Sequence, residues 1–261
     1  MQARGKEFHG IYPSQGAARS NNPATTRAEA LPGRFAVVAI GSSAGGIQAL
    51  RRLVSGLPDD FPLPILVCQH VHRDKPSRLP EILARCTGLR AVAGAEGDRP
   101  SPGTIHVAPP NRHLRVRPDG LLGLSDGERV NHCRPAANVL FRTVAQAYGA
   151  QAVSVVLTGY GRDGALGSRA IQGRGGLAIA QDEASTEVFE MPLAARDLGR
   201  ADLVVSLGRI AAALEILARQ AEDAAPPHGE ARVRPGEFDG GDRAQRHGRV
   251  PLCTGSRRHA G

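Results

Sequence analysis

Residues 35–46 read FAVVAIGSSAGG. The first half, FAVVAI (35–40), is a short, continuous apolar run, the pattern of a strand buried on both faces. It stops at a glycine turn, and apolar residues then recur at helical spacing as Ile47, Leu50, Leu53, Val54 and Leu57. A doubly covered strand that feeds a helix through a tight turn is the repeating unit of an α/β sheet.

Outward from this unit the alternation continues. ILVCQ (65–69) reads as a second buried strand, and Ser77 as the cap of the helix after it. TIHVA (104–108) is another strand. LRVR and LLGL flank Pro118-Asp119-Gly120 and read as a β-hairpin. Residues 138–148 have helical periodicity, AVSVVLT (152–158) is the most strand-like run, and a helix over 165–172 follows. Strands LAIAQ (177–181) and LVVS (203–206) lead to a last helix ending near Arg219. The expected fold is a doubly wound, mostly parallel sheet with helices on both faces and a small antiparallel hairpin. Residues 1–33 and 220–261 are rich in small, polar, Pro and Gly residues without hydrophobic period. Both are expected to be disordered tails around a catalytic domain spanning 34–219.

Composition narrows the function. The 261 residues are 41% hydrophobic, with no run of eighteen apolar residues, so direct membrane insertion is not expected. The N-terminus lacks a secretory signal, and the four cysteines, Cys68, Cys86, Cys133 and Cys253, form no C-x-x-C pair. They read as reduced thiols of a cytoplasmic protein. The net charge of +8 is almost all arginine, lysine occurring only as Lys6 and Lys75. With 3% aromatics, no tryptophan and no arginine stripe, that charge argues against a nucleic-acid partner. An acidic protein partner suits it equally well.

In doubly wound sheets, ligands bind beyond the carboxyl ends of the strands. Three strand ends here are chemically unusual. Ser43 lies in a glycine-rich strand-to-helix turn, where a hydroxyl can stand exposed against the helix N-terminus. The same turn also reads as a plain connection or a phosphate cradle. His70 closes the second strand and suits general base work, or a structural role. Other histidines occur at 72, 106, 113 and 132, but none has the spacing of a common zinc motif, and no metal or cofactor is expected. Asp163 lies among Gly159, Gly161 and Gly164, where it could orient a histidine, form an Asp-Gly turn, or cap the following helix. Together the three supply a nucleophile, a base and an orienting carboxylate at one edge of one sheet.

These segments resemble the catalytic domain of the chemotaxis protein-glutamate methylesterases, the CheB family. The resemblance rests on IGSSAGG, on QH after a strand, and on LTGYGRDGA, with IHVAPPNRHL (105–114), CRPAANVLF (133–141) and QDEASTEVFEMP (181–192) in support. It covers residues 35–218 and implies Ser43 as nucleophile, His70 as base and Asp163 as third member of a triad. Ala44, Gly45, Tyr160 and Gly161 fall around the implied oxyanion and substrate pocket. The implied activity is demethylation of glutamate γ-methyl esters on the cytoplasmic domain of chemoreceptors through an acyl-enzyme; some members also deamidate receptor glutamines. The alternative is a phosphate-binding or catalytically weak interaction module of a chemosensory-like pathway.

Tyr160 stands where the family usually has methionine, and Ala44 where threonine is frequent. Typical members also carry an N-terminal phosphorylated receiver domain, for which the residues before Phe35 are too few. Control is therefore expected from a separate response regulator, a methyltransferase partner or expression level.

Overall fold

The computed structural model describes residues 35–72 and 75–223, with side chains as far as Arg219. The expected N-terminal tail, and the C-terminal one beyond the last helix, lie outside the described residues.

Seven strands form one parallel sheet in the order β3-β4-β2-β1-β7-β8-β9. They are β1 (Val37–Ser42), β2 (Ile65–Gln69), β3 (Arg90–Ala93), β4 (Thr104–Val107), β7 (Ala152–Val156), β8 (Leu177–Gln181) and β9 (Leu203–Val205). The other two, β5 (His113–Val116) and β6 (Leu122–Ser125), pair antiparallel as the expected hairpin. The helices are α1 (Gly46–Val54), α2 (Leu79–Ala84), α3 (Ala137–Tyr148), α4 (Ala165–Gln172), α5 (Glu190–Asp197) and α6 (Leu207–Asp223).

The apolar run at residue 35 is continuous because successive side chains point to opposite faces and both faces are covered. Val38 and Ile40 pack with Leu50 and Leu53 of α1, Leu83 of α2, and Ile210 and Leu214 of α6. Val37 and Ala39 pack with Leu140, Phe141 and Val144 of α3, Ile171 of α4, Met191 of α5, and Leu114 and Leu122 of the hairpin. Truncating a fully buried side chain such as Phe141 would cost about 3–5 kcal/mol.

The central strand positions the site. From β1 the chain builds outward to one side through β2, and crosses back at β7 to build the other half. Strand order therefore reverses at β1 and β7, and a crevice opens beyond their carboxyl ends. The register levels these ends: Gly41 pairs with Cys68 of β2 and with Val156 of β7, so the loops after β1, β2 and β7 leave the sheet side by side.

The structure adds β3 and α5 to the elements expected from the pattern. Ser77 Oγ accepts the N–H of Leu79 at 3.3 Å, although by backbone conformation Arg78 is the cap of α2. Ile47, the first of the apolar residues at helical spacing, is 39% exposed and lines the crevice beside Ser43.

Candidate active site

The loop after β1 owes its shape to close approach. A Cβ on Gly46 would stand 2.8 Å from Ser42 Cβ and collide with Gln69 Oε1, and one on Gly159 would stand 2.5 Å from Ser43 Cβ. Only glycine permits these contacts. The backbone of Ser43 is pinned from the neighbouring strand, its N–H donating to Thr158 O at 2.9 Å. Thr158 Oγ1 donates to Ala44 O at 2.9 Å and accepts from Val188 N at 2.9 Å.

Gln69, buried at the end of β2, holds two loops at once. Its amide donates to Ser43 O at 2.8 Å and to His70 O at 2.9 Å, and its Oε1 accepts from Ser42 Oγ at 2.7 Å. His70 N also donates to Ser42 O at 3.0 Å. Sequence reasoning noted Gln69 only as part of the QH pair and gave it no role. The available signal was an amide ending an otherwise apolar buried strand, which requires partners.

His70 lies between two groups. Nε2 meets Asp163 Oδ2 at 2.9 Å, and Nδ1 faces Cys133 Sγ at 3.6 Å. Asp163 is 2% exposed and fully satisfied. Oδ2 also accepts from Ala137 N at 2.5 Å, while Oδ1 accepts from Asn138 N at 3.0 Å and Asn131 Nδ2 at 3.3 Å. Asp163 does not cap the helix that follows it, where Gly164 is the cap residue. It caps α3, whose first N–H groups and positive dipole end stabilise its charge.

The electrostatics follow. Burial raises the Asp163 pKa, but the hydrogen bond and charge of His70 and the α3 N–H groups outweigh it, leaving the carboxyl below its ordinary value. Burial likewise disfavours the His70 cation, yet Asp163 and Cys133 together raise its pKa from 6.5 to about 9. Cys68, beneath them, is held well above its ordinary value by burial, then by Asp163 and Cys133. Cys68, Cys86 and Cys133 are free thiols.

Ser43, Ala44, Gly45, Ile47 and His70 line one open cavity of about 510 Å³. No hydrogen bond joins Ser43 Oγ to His70 among the described residues; such bonds tighten when substrate closes a site. The N–H of Gly161 donates to Glu190 Oε2 at 2.8 Å and that of Gly159 to Val188 O at 2.9 Å. Among the described residues the N–H groups of Ala44, Gly45 and Tyr160 have no acceptor. The Tyr160 side chain is 65% exposed.

His70 also borders another cavity of about 270 Å³, which Arg129, His132, Cys133 and Arg134 line with it. The Arg134 guanidinium is spent on neutral acceptors: Asn111 Oδ1 at 2.8 and 3.0 Å, Gly127 O at 2.9 Å, and Asp126 O. Among the described residues no group of three or more His, Cys, Asp or Glu is arranged to hold a metal ion, and no helix is long and apolar enough to cross a membrane.

Comparison with known proteins is consistent across sequence and fold. The family model of the CheB methylesterase matches residues 38–214. The chain is 39% identical over 192 residues to the protein-glutamate methylesterase FrzG of Myxococcus xanthus, covering 74% of this chain and 58% of FrzG. It is 37% identical over 177 residues to a putative protein-glutamate methylesterase/protein-glutamine glutaminase of Leptospira interrogans, covering 68% of this chain and 92% of that protein. FrzG and two Burkholderia relatives are longer, and the chain spans only 55–58% of their lengths. The crystal structure of the Thermotoga maritima CheB methylesterase catalytic domain superposes with a TM-score of 0.68 at 32% identity, over 70% of this chain and 98% of that one. The chain therefore belongs to the CheB methylesterase family.

Proposed function

We propose that this protein hydrolyses glutamate γ-methyl esters on chemoreceptor-type proteins, with Ser43 as nucleophile, His70 as general base and Asp163 as the group that orients and stabilises His70. The observation that carries this reading is the position of His70: one nitrogen is bound to a buried, helix-capping carboxylate, and its ring borders the cavity that holds Ser43.

With Nε2 committed to Asp163, Nδ1 is the nitrogen left to accept a proton. It takes the proton of Ser43 as Oγ attacks the γ-carbonyl carbon. The tetrahedral oxyanion forms against the N–H groups of Ala44, Gly45 and Tyr160, worth about 3–4 kcal/mol for a donor of this kind. The C–O bond to the methoxy group breaks, the imidazolium proton goes to it, and methanol leaves. Water, deprotonated by His70, then attacks the γ-glutamyl ester on Ser43 and releases the carboxylate. A glutamine side chain can enter the same sequence with ammonia as leaving group. The residues act without any metal step. Ile47, at the rim beside Ser43, offers apolar surface to the ester methyl group.

The test is mass spectrometry of a methylated receptor cytoplasmic fragment incubated with the protein. Loss of one methylene mass per modified glutamate, with methanol released in equal amount, is expected. An unchanged fragment would refute the substrate assignment.

A further inference from the structure

A third cavity lies away from the candidate active site, at the outer edge of the sheet. It has a volume of about 140 Å³, and Arg90, Asp98, Arg99, Ser101, Thr104 and His106 line it with Val92. The register explains why. Arg90 pairs with Thr104 and Val92 with His106, so these four side chains share one face of β3 and β4. The loop between the two strands brings Asp98, Arg99 and Ser101 over that face.

His106 is the unusual member. It is only 4% exposed, yet neither ring nitrogen has a hydrogen-bond partner among the described residues. A buried polar group left in this way is destabilising until something pairs with it. Asp98 does not relieve it: Oδ2 is 3.9 Å from Nδ1 and already accepts from Ala95 N at 2.9 Å. The hydroxyls do not relieve it either, since Ser101 donates to Arg99 O and Thr104 to Pro102 O. The exposed guanidinium groups of Arg90 and Arg99 also line the cavity and form no ion pair or hydrogen bond among the described residues.

The cavity thus presents two unspent guanidinium groups and one unspent buried imidazole, against a single carboxylate. Planar N–H forks and an imidazole N–H match the oxygens of a tetrahedral anion. The volume admits one such anion with a water molecule or two. We propose that this cavity is a binding site for a phosphate-type oxyanion, held by Arg90, Arg99 and His106. Occupation ties the loop before β4 to the sheet edge and supplies the partner that His106 lacks. The ligand is free inorganic phosphate or the phosphoryl group of a larger molecule.

The experiment titrates the protein with inorganic phosphate, with phosphoserine, and with chloride at matched ionic strength. Imidazole nitrogen resonances and thermal unfolding are followed. Expected is a saturable shift of the His106 ring signals and a saturable rise in melting temperature with phosphate, absent with chloride. Arg90→Gln and Arg99→Gln, both at exposed positions, should fold normally and bind phosphate about tenfold more weakly. Tighter binding of phosphoserine would identify a phosphoryl group on a larger molecule as the ligand, and its failure to bind would identify free phosphate. Ring signals that do not respond to phosphate, or a response unchanged in the double arginine variant, would overturn the proposal. Because neither readout involves ester hydrolysis, the result is independent of the proposed activity.

Discussion

The carboxylate of Asp163 bonds His70 and caps helix α3 at the same time, through Nε2 at 2.9 Å and the N–H groups of Ala137 and Asn138. One side chain thereby couples the stability of the fold to the chemistry. Asp163→Asn would turn an amide N–H₂ toward at least one of four donors. Turnover should fall by about 10³–10⁴, as expected when the histidine loses its orienting anion. Stability should fall by roughly 1–3 kcal/mol in denaturant unfolding. A variant with wild-type stability but lost activity would show that the cap does not depend on the carboxylate.

Folding should be linked to pH through His70. Its folded pKa of about 9 lies above its ordinary 6.5, so protonation favours the folded state. This stabilisation is fully present below pH 6.5 and is lost as the pH rises through about 9. It amounts to roughly 3 kcal/mol at most. Asp163 has the opposite sign: its depressed pKa contributes stability that is lost only as the pH falls through the folded value, below the ordinary 3.8. Melting temperatures measured from pH 6 to 9.5 should decline in the wild type and decline less in His70→Gln. Parallel curves for the two proteins would contradict the linkage.

Turnover should depend on the same proton with the opposite trend. In the proposed mechanism only neutral imidazole can accept the serine proton, so the rate should rise with pH toward the His70 pKa near 9. Cys133 Sγ, 3.6 Å from Nδ1, contributes to that elevation. Cys133→Ala should therefore move the basic limb to lower pH and speed turnover at neutral pH severalfold. The pH–rate profiles of the two proteins check this; superimposable limbs would remove Cys133 from the tuning of His70.

Gln69 should act on the rate constant more than on affinity. Two of its hydrogen bonds fix the backbone of Ser43 and His70, the third accepts from Ser42 Oγ, and the side chain is itself buried. Gln69→Leu should lower kcat about 10- to 100-fold with little change in KM, since misplaced reacting groups lose the benefit of orientation. It should also leave Ser42 Oγ without its acceptor, at a cost of about 1–3 kcal/mol. Steady-state kinetics separate the two parameters, and a change confined to KM would assign Gln69 to substrate binding instead.

Most of the sheet was legible in the sequence because β1, β2, β7 and β8 are buried on both faces and carry continuous apolar runs. β3 was not: Arg-Ala-Val-Ala is a four-residue edge strand with exposed ends, and nothing in its pattern distinguishes it from a loop. α5 was obscured by Pro192 in its first turn and by its place inside a polar segment. Ser43, His70 and Asp163 drew attention in the sequence because each lies in an unusual segment that follows the carboxyl end of a strand. The role of Asp163 as cap of α3 was not, because its partners lie 25 and 26 residues away in sequence and only the packing of α3 on the sheet brings them together. The contact of Cys133 with His70 was not foreseen for the same reason, since it spans 63 residues.

The central claim is that Ser43 is the nucleophile, and covalent trapping tests it most directly. The protein is incubated with a fluorophosphonate and analysed by intact mass and peptide mapping, beside Ser43→Ala and His70→Gln. The account predicts one adduct per chain on Ser43, none in Ser43→Ala and much slower labelling in His70→Gln. An adduct on another residue, or receptor demethylation by Ser43→Ala within about tenfold of wild type, would contradict it.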